Sequence, residues 1–311
     1  MTNSNNLRLH QLRALVAAVE HGSIRAAARS QNLSQAALTK SLRGLEEAAG
    51  LVLLTRKSSG VVLTAAGQRL LIRARLVTRQ IDLAADEFNA GQVALQASVH
   101  VALTPFVTLT ALGEAHRWFR QRYPLVHLQV HEGLVSRVLP GLRDGSIDFA
   151  IVANSGDVPV GEFAQAHLRM EPQVIVARKG HPLAKADQLA VLADCEWVLP
   201  GNGAPAASVA ASAELVALFR QAGLAPPQRV TRGTALTAIA LVRHSDALSI
   251  FPQALLAQPE GQGVQPLHIQ NAKLPDLELI QLTLPDAPLS QPAAWLARCL
   301  RDACLADNGV D

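Results

Sequence analysis

Residues 33–50 read LSQAALTKSLRGLEEAAG, and the two faces of this stretch constrain the chain more than any other feature. Leu38, Leu42, Leu45 and Ala49 recur at i, i+4, i+7 and i+11, one apolar stripe of a 3.6-residue helix. Gln35, Thr39, Lys40 and Arg43 fall on another face. Ser34 is placed to cap the N-terminus and Gly50 to follow the C-terminus. Most polar helix faces are simply solvated surface, and this stretch alone does not separate that reading from a reading surface, so the flanking sequence has to decide.

Upstream, Leu12, Leu15, Val16 and Val19 repeat at helical spacing up to Gly22. Ser23 is a natural cap for IRAAARSQ, whose small residues Ala26–Ala28 let another helix approach closely. Asn32-Leu33-Ser34 makes a tight turn into the quoted stretch. Two short helices, a turn and a third helix form a helix-turn-helix. Downstream, LVLLTRKSSGVVLT (51–64) reads as two strands around Lys57-Ser58-Ser59-Gly60, a hairpin wing. A helix lying in a major groove needs an apolar stripe toward its own domain and hydrogen-bonding groups toward base edges. Gln35 suits adenine, Thr39 offers a hydroxyl and a methyl, and Lys40 and Arg43 reach guanine edges or phosphates. Arg56 and Lys57 on the wing and Arg25 at the second helix are phosphate contacts, which position without reading sequence. Ser34 and Ala36 complete the expected DNA-facing set. Charge agrees with this reading. Residues 1–80 hold twelve Lys and Arg against three Asp and Glu, whereas the remainder holds sixteen against twenty-two. A basic head on an acidic body points to a polyanion partner for the head alone.

From Thr64, a predicted cap, to residue 88, apolar residues fall at Leu70, Ala74, Val77, Ile81, Ala84 and Phe88, a heptad seam. Such a seam is satisfied by a second helix of the same kind, giving a coiled-coil dimer, or by its own domain. Past Gly91-Gln92, strands alternate with helices. Strand 99–104, helix 107–122, strand 126–133, helix 134–144 and strand 147–153 give a βαβαβ order, which implies a parallel sheet with ligand space at the strands' carboxyl ends. A second unit begins near residue 164, and a last helix follows Ser290. Thr104-Pro105-Phe106 and Gly201-Asn202-Gly203 are strand ends feeding helix N-termini, places that favour anions. No uncharged apolar run reaches the roughly 18–20 residues of a membrane span, and the polar N-terminus lacks an apolar signal core, so the expectation is a cytoplasmic protein without membrane contact. Cys195, Cys299 and Cys304 lack metal-ligand spacing and read as buried, reduced thiols.

Two enzyme readings compete weakly. GNGAPA (201–206) fits G-x-G-x-x-A, but Pro205 crowds the turn and no acidic residue ends a strand ~20 residues on. His127 and His131 share a strand face without a third ligand nearby, and no G-x-S-x-G elbow exists. No catalytic residue, metal or cofactor is therefore expected. A purely architectural DNA-binding protein is the other alternative, and a two-lobed α/β body argues against it.

The run GSIRAAARSQNLSQAALTKSLRGLEEAAGLVLLTRKSSGVVLTAAG resembles the N-terminal winged helix-turn-helix of the LysR-type transcriptional regulators. The matching pieces are Gly22-Ser23, Ala27-Ala28, Ser34-Gln35, Leu45-Glu46, Gly50, Leu53, Arg56, and Leu63-Thr64 with Gly67. Ala36, Thr39, Leu54 and Ser59 depart from the usual residues there. YPLVHLQVHEG, LRDGSIDFAIVA, HPLA, ALSIFP and PLSQPAAWLARCL resemble the same family's effector-binding domain, although His244-Ser245-Asp246 stands where a glycine-rich turn is usual. The resemblance implies an α/β protein with an all-α winged helix-turn-helix head (1–64), a linker coiled-coil helix (65–91) and a type 2 periplasmic-binding-protein-like effector domain (92–311). It splits that domain into lobe I (94–163 plus 268–305) and lobe II (164–267). It implies a small-molecule effector, of identity not given by the sequence, held between the lobes by Thr104, Pro105, Phe106, Gly133, Leu134, Asn202, Gly203 and Thr234. Arg232, beside Thr234, suits either a carboxylate of that effector or a surface salt bridge. It also implies a dimer through residues 65–89, a homotetramer of two such dimers, and double-stranded promoter DNA with dyad symmetry as partner.

Overall fold

The computed structural model describes residues 7–57, 60–88, 98–133, 135–154, 158–200, 207–270, 272–285 and 287–306. Two compact units result, residues 1–94 with 141–146 and residues 95–140 with 147–311.

In the first unit, α1 (Leu9–Glu20), α2 (Ile24–Ser30) and α3 (Gln35–Ala49) precede a hairpin of β1 (Leu54–Lys57) and β2 (Gly60–Leu63) and a long helix α4 (Ala65–Phe88). The caps act where expected. Ser23 and Ser34 hydroxyls accept the N–H groups of Ala26 and Ala37 at 3.1 Å each. Helix α2 ends on Asn32 at φ 54°, with the Leu33 N–H donating to the Ala28 carbonyl at 2.9 Å. This αL closure tolerates Asn and sets the tight turn between the helices. Leu15, Leu38 and Leu45 are fully buried in the centre of the unit.

The seam of α4 divides between the two alternatives. Ala74 is buried, and Leu70 packs on the head's own core. Val77 and Ile81 are exposed, at 45% and 39%, as is Ala84. The Phe88 side chain lies outside the described residues. The Thr64 cap accepts the Gly67 N–H at 3.0 Å, as expected.

In the second unit, β3 (Ser98–Leu103) pairs in parallel with β4 (His127–Glu132) and β5 (Phe149–Ala153), as the βαβαβ reading requires. The predicted helix 107–122 starts earlier and is broken into α5 (Pro105–Thr110) and α6 (Leu112–Arg122). Thr108 and Thr110 donate their hydroxyls back to the carbonyls of Thr104 and Phe106, at 3.3 and 3.0 Å, a side-chain bond that bends helices. Helix α7 (Val135–Arg143) returns the chain to β5. Two antiparallel strands complete the sheet, β6 (Ala164–Glu171) and β12 (Leu277–Thr283), in the order β4-β3-β5-β12-β6. The expected lobe boundary at 163/164 therefore falls one strand early. β6 belongs to the first sheet, and the chain crosses at Pro172. Helix α10 (Gln291–Ala306) buries Leu296 and Leu300 against this sheet's core.

The second lobe is built on β7 (Gln173–Arg178), flanked by β10 (Ser249–Pro252) and β11 (Val264–Pro266). Beside them runs the parallel pair β8 (Trp197–Pro200) and β9 (Val230–Gly233), with α8 (Ala207–Gln221) and α9 (Ala235–His244) as its helices. Trp197 is its central side chain, edge-on to Phe219 at 5.9 Å and donating its indole N–H to the Leu192 carbonyl at 3.1 Å. The His244-Ser245-Asp246 turn is held by side chains. Arg178 pairs with Asp246 at 2.7 Å, and the His181 ring accepts the Leu183 N–H at Nδ1 (3.0 Å), leaving Nε2 to donate to the Asp246 carbonyl (3.1 Å). Among the described residues, no helix is long and apolar enough to cross a membrane.

Candidate DNA interface and effector cleft

Helix α3 turns its apolar stripe inward, with Leu38, Leu42 and Leu45 all buried. Ser34, Gln35, Ala36, Lys40 and Arg43 are exposed, Thr39 is half-buried, and Arg25 at the start of α2 is exposed. The α3 residues expected to face DNA therefore share the accessible side of that helix, except that Thr39 offers only part of its side chain. Among the described residues, none of Arg25, Lys40 and Arg43 is engaged in an ion pair, so their charge is open to an external anion. Arg56 and Lys57 lie in β1 by backbone, and their side chains are outside the described residues.

The hairpin meets α3 and α4 through one short segment. The Glu46 carboxylate accepts the N–H groups of Leu53 and Leu54 at 2.8 and 3.1 Å. Thr64 donates its hydroxyl to the Val52 carbonyl at 2.7 Å and its N–H to the Leu53 carbonyl at 3.0 Å. Gly67 packs so tightly here that a Cβ would stand 2.1 Å from the Leu53 carbonyl oxygen. The sequence marked Glu46 and Gly67 only as points of family resemblance, and Thr64 also as a helix cap; their contacts give the physical reason for all three.

In the second unit, Thr104 and Gly133 come together at the carboxyl edge of the first sheet. The Thr104 N–H donates to the Ile151 carbonyl at 2.9 Å, and the Gly133 N–H to the Leu103 carbonyl at 3.3 Å. Thr104 and Phe106 are both buried, and Pro105 is half-buried. The Phe106 ring lies under the Arg169 guanidinium, 5.3 Å from its centroid. In lobe II, Arg232 is exposed in β9 and Thr234 caps α9, accepting the Thr237 N–H at 3.2 Å. Leu134, Asn202 and Gly203 fall outside the described residues, as does the whole 201–206 turn. Three residues that the sequence reading did not single out meet near the carboxyl end of β5. Asn154, just past β5, donates to Glu278 at 2.6 Å, and His167 meets the same carboxylate at 3.2 Å. The Asn154 amide, then the His167 ring, hold the Glu278 carboxyl below the usual carboxylate range. No local pattern marks this cluster, because its members come from β5, β6 and β12.

Residues 92–305 match the family model described as the LysR substrate binding domain. Residues 9–68 match the one described as a bacterial regulatory helix-turn-helix protein of the lysR family. The chain belongs to the LysR family. It is a LysR-type transcriptional regulator, with a DNA-binding head and an effector-binding domain, and its family is one of regulators rather than enzymes. Among curated relatives, this LysR-type chain is 27% identical to the HTH-type transcriptional regulator TdcA of Escherichia coli K12 over 234 residues, 75% of this chain and 73% of that one. It is 30% identical to the HTH-type transcriptional regulator GbpR of Azospirillum brasilense, covering 96% of this chain and 86% of the relative. Its fold is that of a full-length OxyR point variant from Pseudomonas aeruginosa (TM-score 0.71, 19% identity, 96% and 95% of the two chains). It is equally that of full-length CbnR solved with its target DNA (TM-score 0.63, 21% identity, 96% and 100%). Cys299 and Cys304 are buried, as the sequence reading expects, whereas Cys195 is only half-buried, because it sits in the exposed turn that leads into β8. Burial pushes Cys195 and Cys299 up from the ordinary thiol range, which disfavours thiolate.

Proposed function

We propose that this LysR-type regulator reads a dyad-symmetric promoter site through paired copies of α3, and that a small effector between the two α/β lobes shifts its DNA-bound conformation. The observation that carries the first half is the exposed set Gln35, Lys40 and Arg43 opposite the buried Leu38-Leu42-Leu45 stripe. Pairing runs through the outer half of α4, where Val77, Ile81 and Ala84 remain exposed, giving a dimer and then a tetramer. CbnR, a structural neighbour, is known in complex with its target DNA, which supports the same docking for this head. The protein works in the cytoplasm, where promoter DNA is found. The effector contacts Thr104, Pro105, Phe106, Gly133 and Leu134 on one lobe and Asn202, Gly203, Arg232 and Thr234 on the other. By favouring one lobe closure it changes the placement of the DNA-binding pairs. The anion-suited ends at Thr104 and Thr234 support a carboxylate-bearing effector.

Two substitutions separate reading from positioning. Gln35→Ala is expected to relax base preference, costing about 1–3 kcal/mol on the selected site and little on other DNA. Arg56→Ala is expected to weaken every sequence alike and to lower the slope of log affinity against log salt by about one. Binding titrations across a salt series on selected and scrambled duplexes measure both. If the two variants lose sequence preference equally, the division of labour between α3 and the wing is wrong.

A further inference from the structure

We propose that Glu46 is a positioning residue for DNA binding, whose carboxylate sets the wing at a fixed angle to the recognition helix. Glu46 sits in the last turn of α3, on the side turned toward the hairpin. Its Oε1 takes the N–H groups of Leu53 and Leu54, at 2.8 and 3.1 Å, just where the chain enters β1. On the opposite edge of this segment, Thr64 holds the carbonyls of Val52 and Leu53 from the start of α4. The entry to the wing is thus pinned from α3 through its N–H groups and from α4 through its carbonyls.

Arg56 lies two residues beyond Leu54 along a strand that rises about 3.3 Å per residue, so its place follows from where Leu54 is held. Glu46 and Glu47 are the only acidic residues between positions 21 and 81, in a head made to meet a polyanion. A carboxylate there opposes phosphate unless its charge is turned inward, and two backbone donors do that for Glu46. Glu47, its neighbour, is exposed. The inference rests on the reading of Arg56 as a phosphate contact.

The test uses the full-length chain, one selected duplex, a salt series and hydroxyl-radical footprinting. Glu46→Gln keeps reach without charge, and Glu46→Asp keeps charge without reach. Expected is a wild-type salt slope and flank protection for Glu46→Gln and for the control Glu47→Ala. Glu46→Asp and Glu46→Ala are expected to lose about one unit of slope and the protection at the outer flanks, with base preference under α3 unchanged. A purely electrostatic role gives the reverse, with Glu46→Gln and Glu46→Ala binding more tightly and Glu46→Asp unchanged, and overturns the proposal. Flank protection retained in a folded Glu46→Asp protein also overturns it. If Arg56→Ala keeps its slope while Glu46→Asp loses flank protection, the phosphate role of Arg56 fails and the positioning role of Glu46 stands.

Discussion

Glu171→Ala is expected to destabilise the effector-binding unit by about 3–5 kcal/mol, the cost of removing one partner of a buried ion pair. Glu171 and Arg169 stand two residues apart on β6, 2.7 Å from each other, each with only 6% of its side chain exposed. Glu171 also accepts the Ala254 N–H at 2.9 Å, and Arg169 donates to the Cys304 carbonyl at the end of α10 at 2.6 Å. Truncation strips a buried guanidinium of its carboxylate and an amide of its acceptor. The loss falls where the chain passes between lobes, beside the Gln253 N–H bond to the Pro172 carbonyl at 2.7 Å. All three tryptophans, Trp118, Trp197 and Trp295, lie in this unit, so their fluorescence in urea follows it selectively. The joint replacement Arg169→Met with Glu171→Met removes both charges and is expected to recover most of the stability. An unchanged urea midpoint for Glu171→Ala would contradict the account of the crossing.

Gly67→Ala sets two effects against each other. In an ordinary helix interior the change gains about 1 kcal/mol of propensity. Here the new Cβ meets the Leu53 carbonyl oxygen at 2.1 Å and Leu63 Cδ2 at 2.9 Å. The leucine methyl can swing aside. The carbonyl can move only by giving up its bond from the Thr64 N–H. Overpacking against backbone wins, and a net loss of about 3 kcal/mol in the head is expected. Hydrogen exchange of the α3 and α4 amides reads it: faster exchange in the head with the second unit unchanged is the expected result, and slower exchange would mean that propensity prevails.

What could be read from the sequence was what is local. Caps at Ser23, Ser34 and Thr64 and the buried leucines of α3 depend on neighbours within a turn or two, so spacing alone places them. The heptad of α4 has the right period, but a period does not say which partner fills it; the head takes Leu70 and Ala74 and leaves Val77 and Ile81 outside. β6 reads correctly as a strand, yet the partner that puts it in the first sheet, β12, lies more than a hundred residues on. The same distance hides Asn154 with Glu278 and Arg169 with Cys304, which no motif announces. At the candidate DNA interface the residues proposed to read bases were legible and the contacts behind them were not. Gln35 and Arg43 follow from the helix face, whereas the role of Glu46 depends on which backbone amides the folded hairpin brings within its reach.

The central claim is that this head reads specific DNA as a two-fold pair. The most direct measurement is selection of duplexes from a random pool by the full-length protein, followed by affinity of the enriched sequence against its scrambled version from low to physiological salt. The account predicts an enriched site with two inverted halves about one helical turn or a multiple apart, bound far more tightly than scrambled DNA and with a steep salt slope for both. Recovery of no inverted repeat, with equal affinity for enriched and scrambled duplexes at every salt concentration, would contradict it.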